Sequence, residues 1–326
     1  MAMQYRRLGQ SGLHVSALAL GSWVTFAGVL SRNQVRDLVA CAFDAGVNLF
    51  DSAENYASGA AEAMLGDVLA DLRLPRDAFC VSSKAFFGPV VEPRPTQRGL
   101  SRKHLRDACD AALRRLRVDY LDLFFCHRPD PETPIEETVM AMDQLVRAGK
   151  VLYWGTSEWP AEMIHTATRL ARNHGMVAPS TEQAAYNLLQ RERVELEYAG
   201  LYDELGLGLT TWSPLASGLL SGKYADGRVP ENSRLARSEH GWQASMMYRN
   251  ERAVREQAVM RLVQVAKDAD CSPAALAIAW CLRNPKVSSV ILGCSSTEQF
   301  QQNLAALALV NRIDRAALAR LDAIAA

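Results

Sequence analysis

Eight short runs of apolar, often β-branched residues recur along the chain, separated by longer amphipathic segments. They are Val15–Gly21, Val47–Ala53, Phe79–Lys84, Tyr120–His127, Val151–Ser157, Ser180–Asn187, Gly208–Leu215 and Ser288–Gly293. Runs this short and this apolar read as strands buried on both faces, the usual state of a parallel sheet. The segments between them carry a helical period. In Arg102–Leu116, residues Leu105, Ala108, Cys109, Ala112, Leu113 and Leu116 recur at i, i+3, i+4 spacing, which makes one apolar helix face. Ile135–Val146 repeats the pattern, and Thr133-x-x-Glu136 ahead of it has the form of a capping box. Gly46, Gly149, Gly175 and Gly206 each follow a helical pattern, where a left-handed residue past the helix end is wanted.

Eight β-then-α units in 326 residues average roughly 40 residues each, slightly more than a minimal (β/α)8 barrel of about 250 residues needs. The expected fold is α/β, a single (β/α)8 (TIM) barrel domain spanning residues 1–326. The surplus collects in three places. Tyr5–Val15, turning at Gln10-Ser11-Gly12, reads as a hairpin ahead of the first barrel strand. Ala216–Tyr248, after the seventh strand, is rich in Gly, Ser and Arg and has no sustained period, so it reads as a long functional loop. Arg252–Lys267 and Pro273–Leu282 then place two helices, not one, before the eighth strand. A two-domain doubly wound protein is the competitor. It calls for a G-x-G-x-x-G turn between strand and helix, and Gly206-Leu207-Gly208 leads into a strand instead.

Composition removes other classes. Lys plus Arg and Asp plus Glu both number 36, so the net charge is zero and a broad nucleic-acid footprint is not expected. No apolar run approaches the roughly 18 residues of a membrane span, so membrane insertion is not expected either. Arg6 and Arg7 are not followed by the apolar stretch of a secretory signal. The seven cysteines are scattered, with no C-x-x-C, and most sit inside apolar runs. They are expected to be reduced core thiols of a cytoplasmic protein with no bound metal.

Active sites of such barrels gather at the C-terminal strand ends. The second strand ends in Asp51-Ser52-Ala53-Glu54-Asn55-Tyr56, the third in Ser82-Ser83-Lys84, the fourth in Cys126-His127-Arg128. Asp51, Tyr56, Lys84 and His127 are thus offered to one rim. Lys84 closes an apolar strand, where an unpaired ammonium is costly unless a carboxylate such as Asp51 faces it. The phenol of tyrosine has an ordinary pKa near 10, and a neighbouring ammonium favours the phenolate. The expectation is therefore a Tyr56 tuned downward by Lys84, acting as a general acid, with His127 orienting a carbonyl.

With these residues in view, the chain resembles the aldo-keto reductases. The likeness is carried by Asp51-Ser-Ala-x-x-Tyr56, by Lys84 at a strand end and by Leu123-Phe-Phe-Cys-His127. It extends from Tyr5-Arg-Arg-Leu-Gly9 through Trp212-Ser-Pro-Leu-Ala-Ser-Gly-Leu-Leu-Ser-Gly-Lys-Tyr224 to Gly293-Cys-Ser-Ser-Thr-Glu-Gln299. Within that family it is similar to the branch of the voltage-gated potassium channel β-subunits and bacterial glyceraldehyde or methylglyoxal reductases.

The resemblance implies NADPH/NADP+ lying across the barrel rim and a small aldehyde or ketone as substrate. It assigns Ser22 and Trp23 to the cofactor site, with Ser157 and Gln183 holding the nicotinamide carboxamide and Trp212 stacking on its ring. It assigns Ser213, Pro214, Leu215, Ala216, Ser217 and Lys223 to the pyrophosphate, and Ser233 and Arg234 to the 2′-phosphate. Gly293, Ser295, Gln299 and Asn303 fall at the start of the last helix, whose N-terminal N–H groups favour phosphate, and Gln302 falls near the adenine. The 216–248 segment becomes a clasp over the cofactor. Trp23, Phe87, Arg128, Trp159 and Trp242 are the expected substrate walls, and Arg128 points either to an anionic or polyhydroxy substrate or to a surface ion pair. Relatives of this branch form tetramers or octamers, which implies a homo-oligomer.

Some positions depart from the β-subunit pattern. His127 replaces an asparagine, which favours an enzyme over a regulatory nicotinamide-binding module. Val29 replaces a polar cofactor contact, Gln302 a glutamate, and Glu158 an arginine. A phosphate-binding barrel lyase with a Schiff base at Lys84 is a third reading, disfavoured by the Asp51 and Tyr56 pattern.

Overall fold

A computed structural model describes residues 2–225, 230, 233, 236 and 252–324. Strand β1 (Tyr5–Arg7) pairs antiparallel with β2 (His14–Ser16) in the register Tyr5↔Ser16. Eight parallel strands follow: β3 (Leu18–Gly21), β4 (Leu49–Asp51), β5 (Cys80–Ala85), β6 (Leu121–Cys126), β7 (Val151–Ser157), β8 (Thr181–Ala185), β9 (Gly208–Trp212) and β10 (Val287–Leu292). They close into a barrel in chain order, with β10 hydrogen-bonded to both β9 and β3. The expected barrel is the observed one, and each expected strand falls on an observed strand.

One boundary is corrected. The run Val15–Gly21 is two elements, not one, because Val15 belongs to the hairpin and the barrel strand begins at Leu18. Ala17 lies between them, its N–H donating to Gln4 O at 2.8 Å while its carbonyl accepts from Val290 N at 2.9 Å. A continuous apolar run hides such a corner, since the pattern of side chains does not change across it.

The helices cover the outside of the barrel. They are α1 (Arg32–Asp44), α2 (Ala60–Leu72), α3 (Arg102–Leu116), α4 (Ile135–Arg147), α5 (Ala161–Asn173), α6 (Ala199–Glu204), α7 (Arg252–Asp268), α8 (Pro273–Arg283), α9 (Thr297–Leu304), α10 (Ala306–Leu309) and α11 (Arg315–Asp322). In α3 the apolar face is seated as its period predicts, with Leu105, Ala108, Cys109, Ala112 and Leu116 buried. Burial of a leucine side chain contributes about 1.5–3 kcal/mol. The helix ends at Arg117, in the left-handed conformation. Gly46, Gly149, Gly175 and Gly206 all have positive φ, as their places after helices predict.

Two further expectations change. The capping box before α4 does not form, because Pro134 is the N-cap and Thr133 Oγ1 donates instead to Asp130 Oδ2 at 2.7 Å. And α9, the helix after β10, is not the last, since α10 and α11 follow it. Of the long 216–248 segment, the structure describes a turn of 3-10 helix at Ala216–Ser221, continues to residue 225, and beyond that describes three single residues.

The hairpin decides which end of the barrel is open. Leu8 and Val15, both fully buried, pack with Ala19, Leu49, Cys80, Leu123, Phe125 and Ile291 inside the barrel. Gly9 at the hairpin tip has φ +58, and a Cβ there would lie 2.3 Å from Gly206 O. Only glycine lets the two backbones meet so closely. With its N-terminal end plugged, the barrel presents its polar chemistry at the C-terminal ends. Among the described residues no helix is long and apolar enough to cross a membrane.

Candidate active site

Side chains alternate along β5, so Ser82 and Lys84 point into the barrel while Ser83 points out. The alternation places Lys84 at the barrel axis, fully buried, beside β4, whose last residue Asp51 pairs with Ser82 in the parallel ladder. Lys84 Nζ donates to Asp51 Oδ2 at 2.7 Å, to Ser52 O at 2.8 Å and to Tyr56 OH at 3.2 Å. An ammonium has three protons, and each finds an acceptor. Asp51 Oδ1 in turn accepts from Ser82 Oγ at 2.7 Å and from Gln183 Nε2 at 3.1 Å. Burial works against the Lys84 ammonium, but Asp51 and Tyr56 outweigh it and hold its pKa above the ordinary value.

Tyr56 opens a short 3-10 turn, Tyr56–Gly59, in which Ala57 and Ser58 both take positive φ, 47° and 54°. Non-glycine residues occupy that region rarely and at some cost, and such strain concentrates at functional sites. The turn aims the phenol back over β5. Burial pushes the Tyr56 phenol up, and the Lys84 ammonium, which pulls it down, does not offset the whole effect. The net shift is upward, opposite to the expectation from the ammonium alone.

His127 follows β6, its N–H donating to Ala85 O at 3.0 Å. Its ring meets Tyr56 edge-on at 5.8 Å between centroids and Phe87 edge-on at 5.1 Å. Burial, then the charges of Lys84 and Arg128, hold its pKa well below the ordinary range. The imidazole is therefore neutral, a hydrogen-bonding group without charge. Its Nδ1 is buried with no partner among the described residues. Asp51, Tyr56, Lys84 and His127 thus meet as the strand ends predict.

A cleft opens beside this cluster, enclosing about 1270 Å³ including its open mouth. It is lined by Trp23, Asp51, Tyr56, Gln183, Trp212, Ser213, Pro214, Leu215, Ser217, Lys223, Gly293, Ser295, Gln299 and Asn303. Each of these is among the residues expected at the site. Gly21, Val24, Thr25, Val29, Gly218, Ser221, Ile291 and Leu292 complete the lining. Except for Val29, these were not foreseen, although residues 21–25 could have been reached by reading the rim one residue at a time past β3.

Several expected residues lie elsewhere. Ser22 is buried behind the cleft, with its hydroxyl on Ser52 Oγ at 2.8 Å. Ser157 donates to Gln183 O at 2.9 Å and braces β8. Ala216 sits in the 3-10 turn, outside the lining, and Gln302 is exposed on α9. Ser233 is buried, with no hydrogen-bond partner for its hydroxyl among the described residues. Arg234 and Trp242 lie outside the described residues. Trp159, expected as a substrate wall, is fully buried and its carbonyl accepts from Tyr198 OH at 2.6 Å.

One contact was not legible at all. Trp212 Nε1 donates to Glu158 Oε1 at 2.9 Å, and that oxygen also accepts from Ala185 N at 2.6 Å. Glu158 Oε2 pairs with Arg193 at 2.6 Å. Glu158, at positive φ just after β7, thereby fixes the indole across the cleft.

The cleft suits a dinucleotide. The Trp212 indole, the Gln183 amide, Lys223 and residues at the start of α9 line one continuous cleft. Ser213, Ala216 and Ser217 take positive φ, as does Gly218, where a Cβ would lie 3.1 Å from Lys223 Nζ. Successive backbone N–H groups in such turns make concave sites for phosphate. Among the described residues no group of His, Cys, Asp or Glu could hold a metal ion.

Comparison with known proteins fits this geometry. The model of the aldo/keto reductase family matches residues 17–326. The chain belongs to the aldo/keto reductase family. It is also 44% identical, over 322 residues, to a probable voltage-gated potassium channel subunit beta of Oryza sativa subsp. japonica, covering 99% of this chain and 96% of that one. Membership in the aldo/keto reductase family supports an oxidoreductase, and the family generally uses a nicotinamide cofactor.

Proposed function

We propose that the protein is an NADPH-dependent reductase of small aldehydes and ketones, of the methylglyoxal or glyceraldehyde kind. The observation that carries the reading is the Lys84 ammonium shared between Asp51 and Tyr56 OH on the cleft wall, with a neutral His127 beside it. Trp212 and Gln183 would hold the nicotinamide, the Ser213–Ser217 backbone and Lys223 the pyrophosphate, and Gly293, Ser295, Gln299 and Asn303 the adenine end. When bound, the reduced nicotinamide supplies a hydride to the carbonyl carbon.

The protein's own residues manage the oxygen. His127 donates a hydrogen bond to the carbonyl oxygen and orients it. Tyr56, protonated across the neutral range because its phenol is pushed up, transfers its proton as negative charge develops on that oxygen. The Lys84 ammonium, 3.2 Å away, stabilises the phenolate left behind, and Asp51 keeps Lys84 charged and aimed. A preorganised charge in a site sheltered from water acts far more strongly than in bulk solution.

Incubation with NADPH and methylglyoxal, followed by loss of nicotinamide absorbance, tests the reading. General acid catalysis contributes about 10²–10⁴-fold, so Tyr56→Phe is expected to lose turnover by that factor while still binding NADP+. Turnover like the wild type in Tyr56→Phe would refute the assigned acid.

The potassium channel subunit similarity favours one second reading, a nicotinamide-binding regulatory module with little turnover. A tight NADPH complex with negligible activity across a broad carbonyl panel would support it. A cytoplasmic homo-oligomer, tetramer or octamer, accompanies the first reading.

A further inference from the structure

Arg128 stands next to His127 in sequence and carries a charge that no carboxylate among the described residues compensates. Its Nη1 donates to the His127 carbonyl and to Ser157 Oγ at 3.3 Å. Its guanidinium carbon lies 5.7 Å from the centre of the Phe87 ring, the same ring that meets His127. Among the described residues, Nε and Nη2 donate to no acceptor and no carboxylate lies within ion-pair distance of the group.

Part-buried arginines elsewhere have their charge or fork met: Arg6 donates to the carbonyls of Val287 and Leu282, Arg283 to those of Val310 and Ile313, and four others pair with carboxylates. Arg76 pairs with Asp122 at 2.6 Å, Arg115 with Glu62 at 2.7 Å, Arg191 with Glu195 at 3.0 Å and Arg193 with Glu158 at 2.6 Å. Among the described residues, the carboxylates closest to this rim are committed elsewhere. Asp130, two residues on, accepts from Leu100 N at 2.7 Å, Glu132 N at 3.0 Å and Thr133 Oγ1 at 2.7 Å. Glu158 is spent on Trp212, Ala185 and Arg193. Asp51 is spent on Lys84. A half-buried guanidinium with its fork open, fixed beside the group that orients the carbonyl, suits an anion presented by the substrate. A planar fork binds carboxylate or phosphate through two parallel hydrogen bonds.

We infer that Arg128 determines specificity by receiving an anionic group, a carboxylate or a phosphate, attached a few bonds from the carbonyl that is reduced. The inference rests on the reductase reading above and narrows its substrate class. The anion is a spectator: carbon gains the hydride, oxygen gains the Tyr56 proton, and the charged group is unchanged.

Two matched pairs of substrates test it in the full-length protein with NADPH. Succinic semialdehyde against butanal isolates a carboxylate, and glyceraldehyde 3-phosphate against glyceraldehyde isolates a phosphate. In the wild type the charged member of one pair is expected to have kcat/KM at least about tenfold higher, and the pair with the larger ratio identifies the anion. Arg128→Met is expected to bring that ratio close to one. Arg128→Lys keeps the charge without the fork and should fall between. A wild-type ratio near one in both pairs would overturn the inference without any variant. So would a parallel loss for charged and neutral substrates in Arg128→Met.

A binding measurement separates this failure from that of the reductase reading. Succinate should alter the intrinsic tryptophan fluorescence of the NADP+ complex, and succinamide should not. If no carbonyl compound is reduced but succinate binds, and binding is lost in Arg128→Met, the anion site stands and the reductase reading falls. If carbonyls are reduced without charge preference and succinate does not bind, the anion site falls alone.

Discussion

Lys84 Nζ has three acceptors, Asp51 Oδ2, Ser52 O and Tyr56 OH, and the one it shares with Tyr56 determines how the phenol titrates. Burial raises the cost of a phenolate, and the ammonium lowers it. At Tyr56 burial is the larger of the two, so the phenol is held above its ordinary value near 10. The acid form is therefore the resting form, and reduction requires the acid form. The expected kcat/KM for reduction is level from about pH 6 to about pH 9 and falls only as the pH rises through the elevated phenol pKa. A pH profile of kcat/KM measured with saturating NADPH checks this, and a descending limb assigned to Tyr56 near pH 7–8 would contradict it. The direction was not readable from residue types. The Asp51, Tyr56 and Lys84 motif shows that an ammonium adjoins the phenol, but not how completely water is excluded. Glu158 was hidden for a similar reason. Its tie to Trp212 joins the ends of β7 and β9, and no local spacing encodes a contact between a loop carboxylate and a distant indole.

At the level of elements, the strands were legible because most carry a buried apolar run, as in Phe124-Phe125-Cys126 of β6. Helix faces were legible from their period, and α3 spans the expected Arg102–Leu116 without change. What failed depended on rivals for a hydrogen bond. Thr133 cannot cap α4, because the Asp130 carboxylate draws its hydroxyl away. Among the polar residues that the strands bury, one yields a prediction. Glu182 on β8 is fully buried on the outer face of the barrel, where it accepts from Thr156 Oγ1 and lies 3.5 Å from Tyr198 OH. Burial pushes its carboxyl well up, with the Glu158 charge adding to the effect and Thr156 opposing it. The folded state thus keeps a proton that the unfolded chain loses above the ordinary carboxylate range. Stability must then fall as pH rises, by about 1.4 kcal/mol per unit for one proton, until the elevated pKa is passed. Glu182→Gln cannot ionise and retains hydrogen-bonding atoms for Thr156 and Tyr198. Its melting temperature relative to the wild type is expected to rise as the pH climbs above about 5, until the elevated pKa is passed. Two melting curves that stay parallel over that interval would show that Glu182 ionises as freely in the fold as outside it.

The cleft is made where the chain closes on itself. Trp212 ends β9 and Gly293 follows β10, two consecutive strands, while Trp23 follows β3, which meets β10 only because the barrel is sealed between them. Residues from both ends of the sequence line one ligand site, so a dinucleotide lying in it would hold the seam together. A ligand that binds only the folded state adds RT ln(1 + [L]/Kd), about 2.7 kcal/mol at a hundredfold excess over Kd. One kcal/mol moves the melting temperature of a domain of 150–250 residues by about 2–4 °C. NADP+ at that excess is therefore expected to raise the melting temperature by several degrees. The family likeness assigns Ser233 and Arg234 to the 2′-phosphate, so NAD+ at the same concentration should produce a smaller shift. Arg234→Ala should close most of the gap by reducing the NADP+ shift and leaving the NAD+ shift alone. The zero net charge of the chain makes this comparison clean, because no broad positive field draws either dinucleotide. Equal shifts for NADP+ and NAD+ in the wild type would place the recognition of the cofactor in the shared parts of the molecule, the nicotinamide, pyrophosphate and adenine, and would refute a preference for NADPH.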